Sequence, residues 1–284
     1  MAAAAAEPVL PLVAEEDDGA PVDPRIAALF DTDSAMGDAL PASKAQSVSE
    51  AAAALPPGLV PAAWQLVVVD DGDGDGSVAD AHEVEAGVLW VGAAEPAGSL
   101  SFLRAARVRG IVNCAAEVPP PPDALRRRAA LLAYEACPLH DDGMVDATPL
   151  LRDGAAAVAR AVAAVRASGE CDAGGGAVLV HCAAGISRSA AVTLAYYVLH
   201  RGATLADAAA RVRRYRTVAY PNLGFWTALR RLEAAMHGGR STIPRAALAL
   251  HRTALARSHA PAVLADDTAT PPDAAASTSD CGTT

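Results

Sequence analysis

The chain has 284 residues, enough for one or two domains, and a formal net charge of −10. Its 52% apolar content owes much to alanine, and only 4% is aromatic. The five cysteines (Cys114, Cys137, Cys171, Cys182, Cys281) are scattered and odd in number, with no CxxC pair, which argues against a disulfide framework or a zinc site and for a reducing compartment. Residues 1–87 carry 17 acidic and 2 basic side chains, whereas residues 88–240 carry 12 acidic and 18 basic. The acidity therefore belongs to the front of the chain, and the mildly basic middle suits a phosphorylated substrate. No run approaches the roughly eighteen apolar residues of a membrane span. The start, MAAAAAEPVLPLVAEEDD, has neither the basic n-region of a secretory signal nor the arginines of a transit peptide. A cytoplasmic or nuclear location is expected by exclusion.

Met1–Ala62 is rich in alanine, proline and acid, and is expected to be largely disordered, with a transient helix near Ile26–Phe30. Trp64–Asp70 reads as a strand. Asp71–Gly76 alternates Asp and Gly like a calcium loop, but an EF-hand needs a glutamate at its twelfth position, where this chain has His82 or Val84. A flexible acidic linker is the expectation, closing a front region of residues 1–84. A folded domain is expected over 85–240. Its first elements read as a strand at Val88–Val91, a helix at Gly98–Val108 and a strand at Gly110–Cys114. The four prolines Pro119–Pro122 force a loop. A basic cluster, Arg126–Arg128, precedes a strand at Leu131–Leu139 and is expected to be a solvated turn.

Thr148 and Pro149 look like the cap and first position of a long helix ending near Ser168. Gly169–Gly176 is a loop, expected at the edge of the sheet away from the site. Further helices are predicted at Ser189–His200, stopped by Gly202; at Thr204–Tyr215, with Thr204 as cap; and at Asn222–Met236. Residues 241–284 read as a flexible tail with one helix at Pro244–Arg257. Strand–helix alternation followed by a run of helices implies an α/β fold, a mainly parallel sheet flanked by helices between disordered tails.

The most informative stretch is Val178–Val192, VLVHCAAGISRSAAV. It places a strand, a tight loop and a helix in succession. The loop amides then gather at a helix N-terminus, where they bind an anion. Cys182 opens the loop, and a sulfur in that positive bowl is favoured as thiolate. Arg188 closes it with a forked donor for an oxyanion. The layout describes in-line attack of sulfur on the phosphorus of a bound phosphate ester, with Ala183, Ala184, Gly185, Ile186, Ser187 and Arg188 as the binding loop. Ser189 can donate to the sulfur as it leaves. The chemistry also needs a carboxyl opposite the loop to protonate the leaving oxygen. PLHDDGMVD offers Asp141, Asp142 and Asp146.

HCAAGISRS resembles the signature of the dual-specificity branch of the cysteine-dependent protein tyrosine phosphatases, and the likeness extends over about Val88–Met236. LWVG, VNCAAE, PLHD and YPN have close analogues in that family. The resemblance selects Asp141 as the acid, with Asp142 second, and implies that Asn222 holds the loop structure together. His181 is expected to be buried, orienting the loop and tuning the thiol. His140 is expected at the surface. Arg211, Arg213, Arg214 and Arg216 line one segment, with Arg216 a candidate to reach the substrate side. No metal and no cofactor is expected, and no nucleic-acid or membrane partner. The loop has no lysine among Ala183, Ala184, Ile186 and Ser187, which favours a phosphorylated protein over an inositol lipid or glucan. A protein kinase is a candidate partner. The rivals are a quiet phosphopeptide-binding adaptor, disfavoured because Cys182 and Arg188 are both present, and another Cys-x5-Arg enzyme such as an arsenate reductase or sulfur transferase.

Overall fold

A computed structural model of the chain describes residues 22–30, 68–69, 77–141, 146–168 and 176–250. The first elements are a short helix, α1 (Pro24–Ala28), and two paired two-residue strands, β1 (Val68–Val69) and β2 (Ser77–Val78). The main sheet has five strands: β3 (Ala81–Glu85), β4 (Leu89–Gly92), β5 (Val108–Ala115), β6 (Ala133–Leu139) and β7 (Ala177–His181). Their order is β3-β4-β7-β5-β6. Only β3 runs antiparallel to its neighbour; β4, β7, β5 and β6 are mutually parallel. The mainly parallel α/β architecture is the one the sequence pattern predicts.

A parallel sheet is covered on both faces, and its central strands β4 and β7 are buried along their whole length. Alternation still sorts the side chains. Leu89, Val91, Val112, Cys114, Val178 and Val180 join one core cluster, while Trp90, Ile111 and Leu179 join the other. The smaller face is covered by α2 (Glu95–Gly98), α3 (Leu100–Ala105) and α4 (Asp123–Arg128), with Trp90 and Phe102 meeting edge to face at 5.4 Å. The larger face carries α5 (Thr148–Ala167), α6 (Arg188–Arg201), α7 (Leu205–Tyr215) and α8 (Leu223–Met236). Residues 188–198 of α6 are all buried, as befits a helix apolar on every side. Helix α5 approaches closely because residue 154 is glycine. A Cβ there would stand 2.8 Å from Cys137 Sγ and 2.9 Å from Val192 Cγ2.

Several local expectations change. The sheet begins at Ala81, not at Glu85, because the turn at Gly87 folds β3 back onto β4. The single helix expected over Gly98–Val108 is two short ones, since Ser99 turns to extended backbone and its side chain caps α3 through Phe102 N. Thr148 is not the cap of α5; it lies within the helix, and Asp146 accepts from both its N (3.1 Å) and its Oγ1 (2.7 Å). The carboxylate outcompetes the hydroxyl as acceptor. Arg126–Arg128 forms the last turn of α4, with Arg126 paired to Asp123 at 2.8 Å.

Both expected tails contribute to the core. In the front region, Leu29 and Phe30 are buried, and Phe30 meets the Trp226 ring at 5.1 Å. Each contributes about 1.5–3 kcal/mol of burial, which offsets the ordering of a helix too short to stand alone. In the expected C-terminal tail, Ile243, Ala247 and Leu248 are buried and residues 245–250 are helical. The fully buried Glu233 holds that segment, accepting from Ser241 Oγ, Thr242 N and Thr242 Oγ1 at 2.6–2.8 Å, and from Leu205 N at 2.7 Å. Of the expected strand at Trp64–Asp70, Val68–Val69 are described and are strand, while the other residues of that stretch, Asp71–Gly76, 142–145 and 169–175 lie outside the described residues.

Candidate active site

The C-terminal ends of the parallel strands converge where an open α/β sheet places its ligands. Strand β7 lies between β4 and β5, so the loop that follows it opens at the middle of the sheet. Cys182 is the first residue of that loop, 2% exposed. Gly185 N donates to its Sγ at 3.2 Å, and Ser189 Oγ lies 3.4 Å away. The Gly185 N–H, the Ser189 hydroxyl and the N-terminus of α6 thus all face this sulfur. The loop turns at Gly185 with φ +67°, and a Cβ there would meet Gly92 C at 2.5 Å and Ala93 N at 2.6 Å. Only glycine fits that conformation against the end of β4. Ala94 N bonds Ala183 O at 3.1 Å, and Tyr220 N bonds Ile186 O at 2.8 Å. Ala183, Ala184 and Ile186 are exposed at the mouth, and Gly185 and Ser187 are buried.

Arg188 opens α6 and is 7% exposed. Its Nη1 donates to both oxygens of Glu117, at 2.6 and 2.7 Å, and to Leu139 O at 3.4 Å. That contact holds the Glu117 carboxyl below the usual carboxylate range. Asp141 follows β6 and is exposed. Its Oδ1 accepts from Asn222 Nδ2 at 2.6 Å and Ser187 Oγ at 2.8 Å, and its Oδ2 lies 3.7 Å from Arg188 Nε. The fold therefore brings Asp141 to the contiguous stretch that carries Cys182, Arg188 and Ser189, with Asn222 and Ser187 aiming the carboxylate. Asn222 also caps α8 through Phe225 N at 2.9 Å, and its own N donates to Ser187 Oγ at 3.1 Å. Asp142 lies outside the described residues. Asp146 caps α5 instead, and His140 is exposed.

His181 is fully buried, and burial pushes its imidazole below the ordinary value, so it is neutral. Its Nδ1 lies 3.3 Å from Cys182 O. As the N–H tautomer it steadies the first peptide of the loop. Cys114, next to β7 at the end of β5, is buried, and burial raises its thiol well above the usual range. Three partners of the site carry weaker sequence signals. Glu117 sits in VNCAAE, the motif that ends β5, and pairs with Arg188. Asp80 immediately precedes β3 and His82 lies within it. Arg216 does not reach the substrate side; fully buried, it lies behind the loop and bonds Gly185 O and Ala184 O. Among the described residues, no group of His, Cys, Asp and Glu could hold a metal ion. No helix among them is long and apolar enough to cross a membrane.

The chain is similar in sequence to known proteins. The family model "Dual specificity phosphatase, catalytic domain" matches residues 89–235. Dual specificity phosphatase 28 of Homo sapiens is 40% identical over 148 residues, covering 52% of this chain and 75% of that protein. Dual specificity protein phosphatase 1B of Arabidopsis thaliana is 28% identical over 160 residues, covering 56% and 85%. The crystal structure of human DUSP28 is 34% identical, covers 56% of this chain and 96% of that one, and superposes with a TM-score of 0.46. With a family match over more than half its length, the chain belongs to the dual specificity protein phosphatases, hydrolases that depend on a catalytic cysteine.

Proposed function

We propose that the chain removes phosphate from phosphotyrosine and phosphoserine/threonine in proteins through a phosphocysteine intermediate, with Cys182 as nucleophile. The observation that carries this reading is the convergence on one sulfur of the Gly185 N–H and the Ser189 hydroxyl, with Arg188 and Asp141 on the same rim. A phosphoryl dianion enters over the loop amides and takes donors from Arg188, competing with Glu117 and Asp141 for the guanidinium. Sulfur attacks phosphorus in line while protonated Asp141 gives its proton to the departing oxygen. The equatorial oxygens are held by amides and guanidinium already in place. Asp141, now a carboxylate, takes a proton from the water that attacks phosphorus. The S–P bond breaks, and Ser189 donates to the departing sulfur. No step calls for a metal.

A rim of Ala183, Ala184 and the exposed Ile186 is apolar and uncharged, which suits a protein side chain more than a polyphosphorylated headgroup. The substrate class is phosphorylated protein, including a protein kinase as a candidate, in the reducing cytosol or nucleus where a thiolate survives. The test is hydrolysis of an aryl phosphate and of phosphotyrosine, phosphothreonine and phosphoserine peptides by purified full-length protein with chelator present. Activity abolished by Cys182→Ser and untouched by chelator supports the reading. A wild type that binds phosphopeptide tightly without turnover refutes it in favour of an adaptor.

A further inference from the structure

Arg216 carries an obligatory charge at a position with no solvent exposure, at the C-terminal end of α7. Its Nε donates to Gly185 O at 2.7 Å and its Nη2 to Ala184 O at 3.3 Å. On its other side Nη1 lies 2.7 Å from Asp80 Oδ1 and 2.9 Å from His82 Nδ1. Arginine has no acceptor, so Nδ1 of His82 must be the bare nitrogen and its proton must sit on Nε2. Burial and the neighbouring guanidinium lower the His82 imidazole to about 4, in keeping with a neutral ring.

The consequence follows from peptide geometry. In a planar trans peptide the carbonyl of one residue and the N–H of the next point in opposite directions. Pinning Ala184 O outward therefore aims Gly185 N–H inward, where it meets Cys182 Sγ at 3.2 Å. Pinning Gly185 O outward aims the Ile186 N–H toward the bowl in the same way. Packing leaves the loop no slack on that side, since a Cβ on Gly185 would stand 2.4 Å from Arg216 Nη2.

We propose that Arg216, anchored by Asp80 and His82, is a positioning residue that sets the inward aim of the cradle amides, and that the segment before β4 thereby completes the anion site. Asp80 and His82 both precede residues 89–235, the span matched by the family model. The proposal rests on the phosphatase reading of that same site. Arg216 touches neither substrate nor reacting atoms; it acts through two carbonyls.

The test uses the full chain with Arg216→Lys and Asp80→Asn, which keep a polar group of similar volume, and Arg216→Met, which keeps most of the volume but removes the charge and the donors. Tungstate serves as the probe anion, with calorimetric affinity, kcat and KM for an aryl phosphate, and amide exchange of residues 183–187 as readouts. Losing charge-assisted bonds to the loop should weaken tungstate binding about 10-fold or more in Arg216→Met, with partial recovery in Arg216→Lys. kcat should fall along with affinity, and the loop amides should exchange faster while the melting temperature of Arg216→Lys stays near wild type. If Arg216→Met does not fold, Arg216→Lys and Asp80→Asn decide the matter. Wild-type tungstate affinity and wild-type loop exchange in both would overturn the proposal. Faster loop exchange in a protein that hydrolyses no phosphoester would uphold the positioning role and sink the phosphatase reading instead.

Discussion

Removing the Ser189 hydroxyl tests how the sulfur leaves. The Ser189 side chain is fully buried, with its Oγ 3.4 Å from Cys182 Sγ, and Gly185 N–H is the other donor to that sulfur. Ser189→Ala deletes one oxygen and opens almost no cavity. A hydrogen bond to a charged group is worth about 1.5–3 kcal/mol. The sulfur is charged when it departs from phosphorus and close to neutral while phosphorylated, so the bond favours breakdown of the intermediate. At about 1.4 kcal/mol per tenfold, the loss slows that step by roughly 10- to 150-fold. Rapid-quench kinetics with an aryl phosphate should then show a burst of phenol approaching one equivalent per enzyme, followed by slow turnover. Turnover that falls by that factor without a burst would place the effect on sulfur attack and refute the leaving-group argument. Unchanged turnover would refute the hydrogen bond itself.

Asp141→Asn keeps the contacts to Ser187 and Asn222 in outline but cannot give up a proton, so kcat should fall by about 10²–10⁴. The fall should be larger for phosphoserine peptides than for nitrophenyl phosphate, whose leaving group barely needs the proton; an equal fall for both would remove Asp141 as the acid. Glu233→Ala leaves four donors, Leu205 N, Ser241 Oγ, Thr242 N and Thr242 Oγ1, without their buried carboxylate, and should cost about 3–5 kcal/mol in urea unfolding. Less than about 1 kcal/mol would show that the 241–250 segment is not anchored this way. In the unfolded chain His82 takes up a proton below its ordinary 6.5, but in the fold only near 4. Stability is therefore lost as pH falls from about 6.5 to 4, with His82 accounting for about 2–3 kcal/mol at pH 4.5. Thermal melts of His82→Asn should lose that share of the pH dependence, and an identical dependence would count against a buried neutral ring.

Much of the site was legible in the chain. A strand, a tight loop and a helix around Cys182 and Arg188 are a local arrangement, because strand period, a glycine turn and helix pattern all lie within Val178–Val192. Helix α6, apolar on every side, and the apolar strands β4, β5 and β7 likewise announce a sheet covered on both faces. The residues alone left Asp141, Asp142 and Asp146 open as the acid, and only the family resemblance singled out Asp141. What aims it, Asn222 Nδ2 and Ser187 Oγ, comes from residues 81 and 46 positions away and depends on how α8 packs beside the loop. A few residues outside the expected 85–240 unit also join the core, for a related reason. Leu29, Phe30, Ile243 and Leu248 are single apolar residues in alanine-rich or polar company, and their burial is decided by the surface that Trp226 and Glu233 offer. Arg216 reads as one more arginine in a charged helix until the fold brings Asp80, His82 and two loop carbonyls around it. Sequence alone determined the strand, loop and helix that carry Cys182 and Arg188, and the class of sheet, because each is encoded within a few turns of chain. The tertiary structure decided which carboxylates, amides and cations surround them, because those contacts span tens of residues and exist only once the sheet has closed.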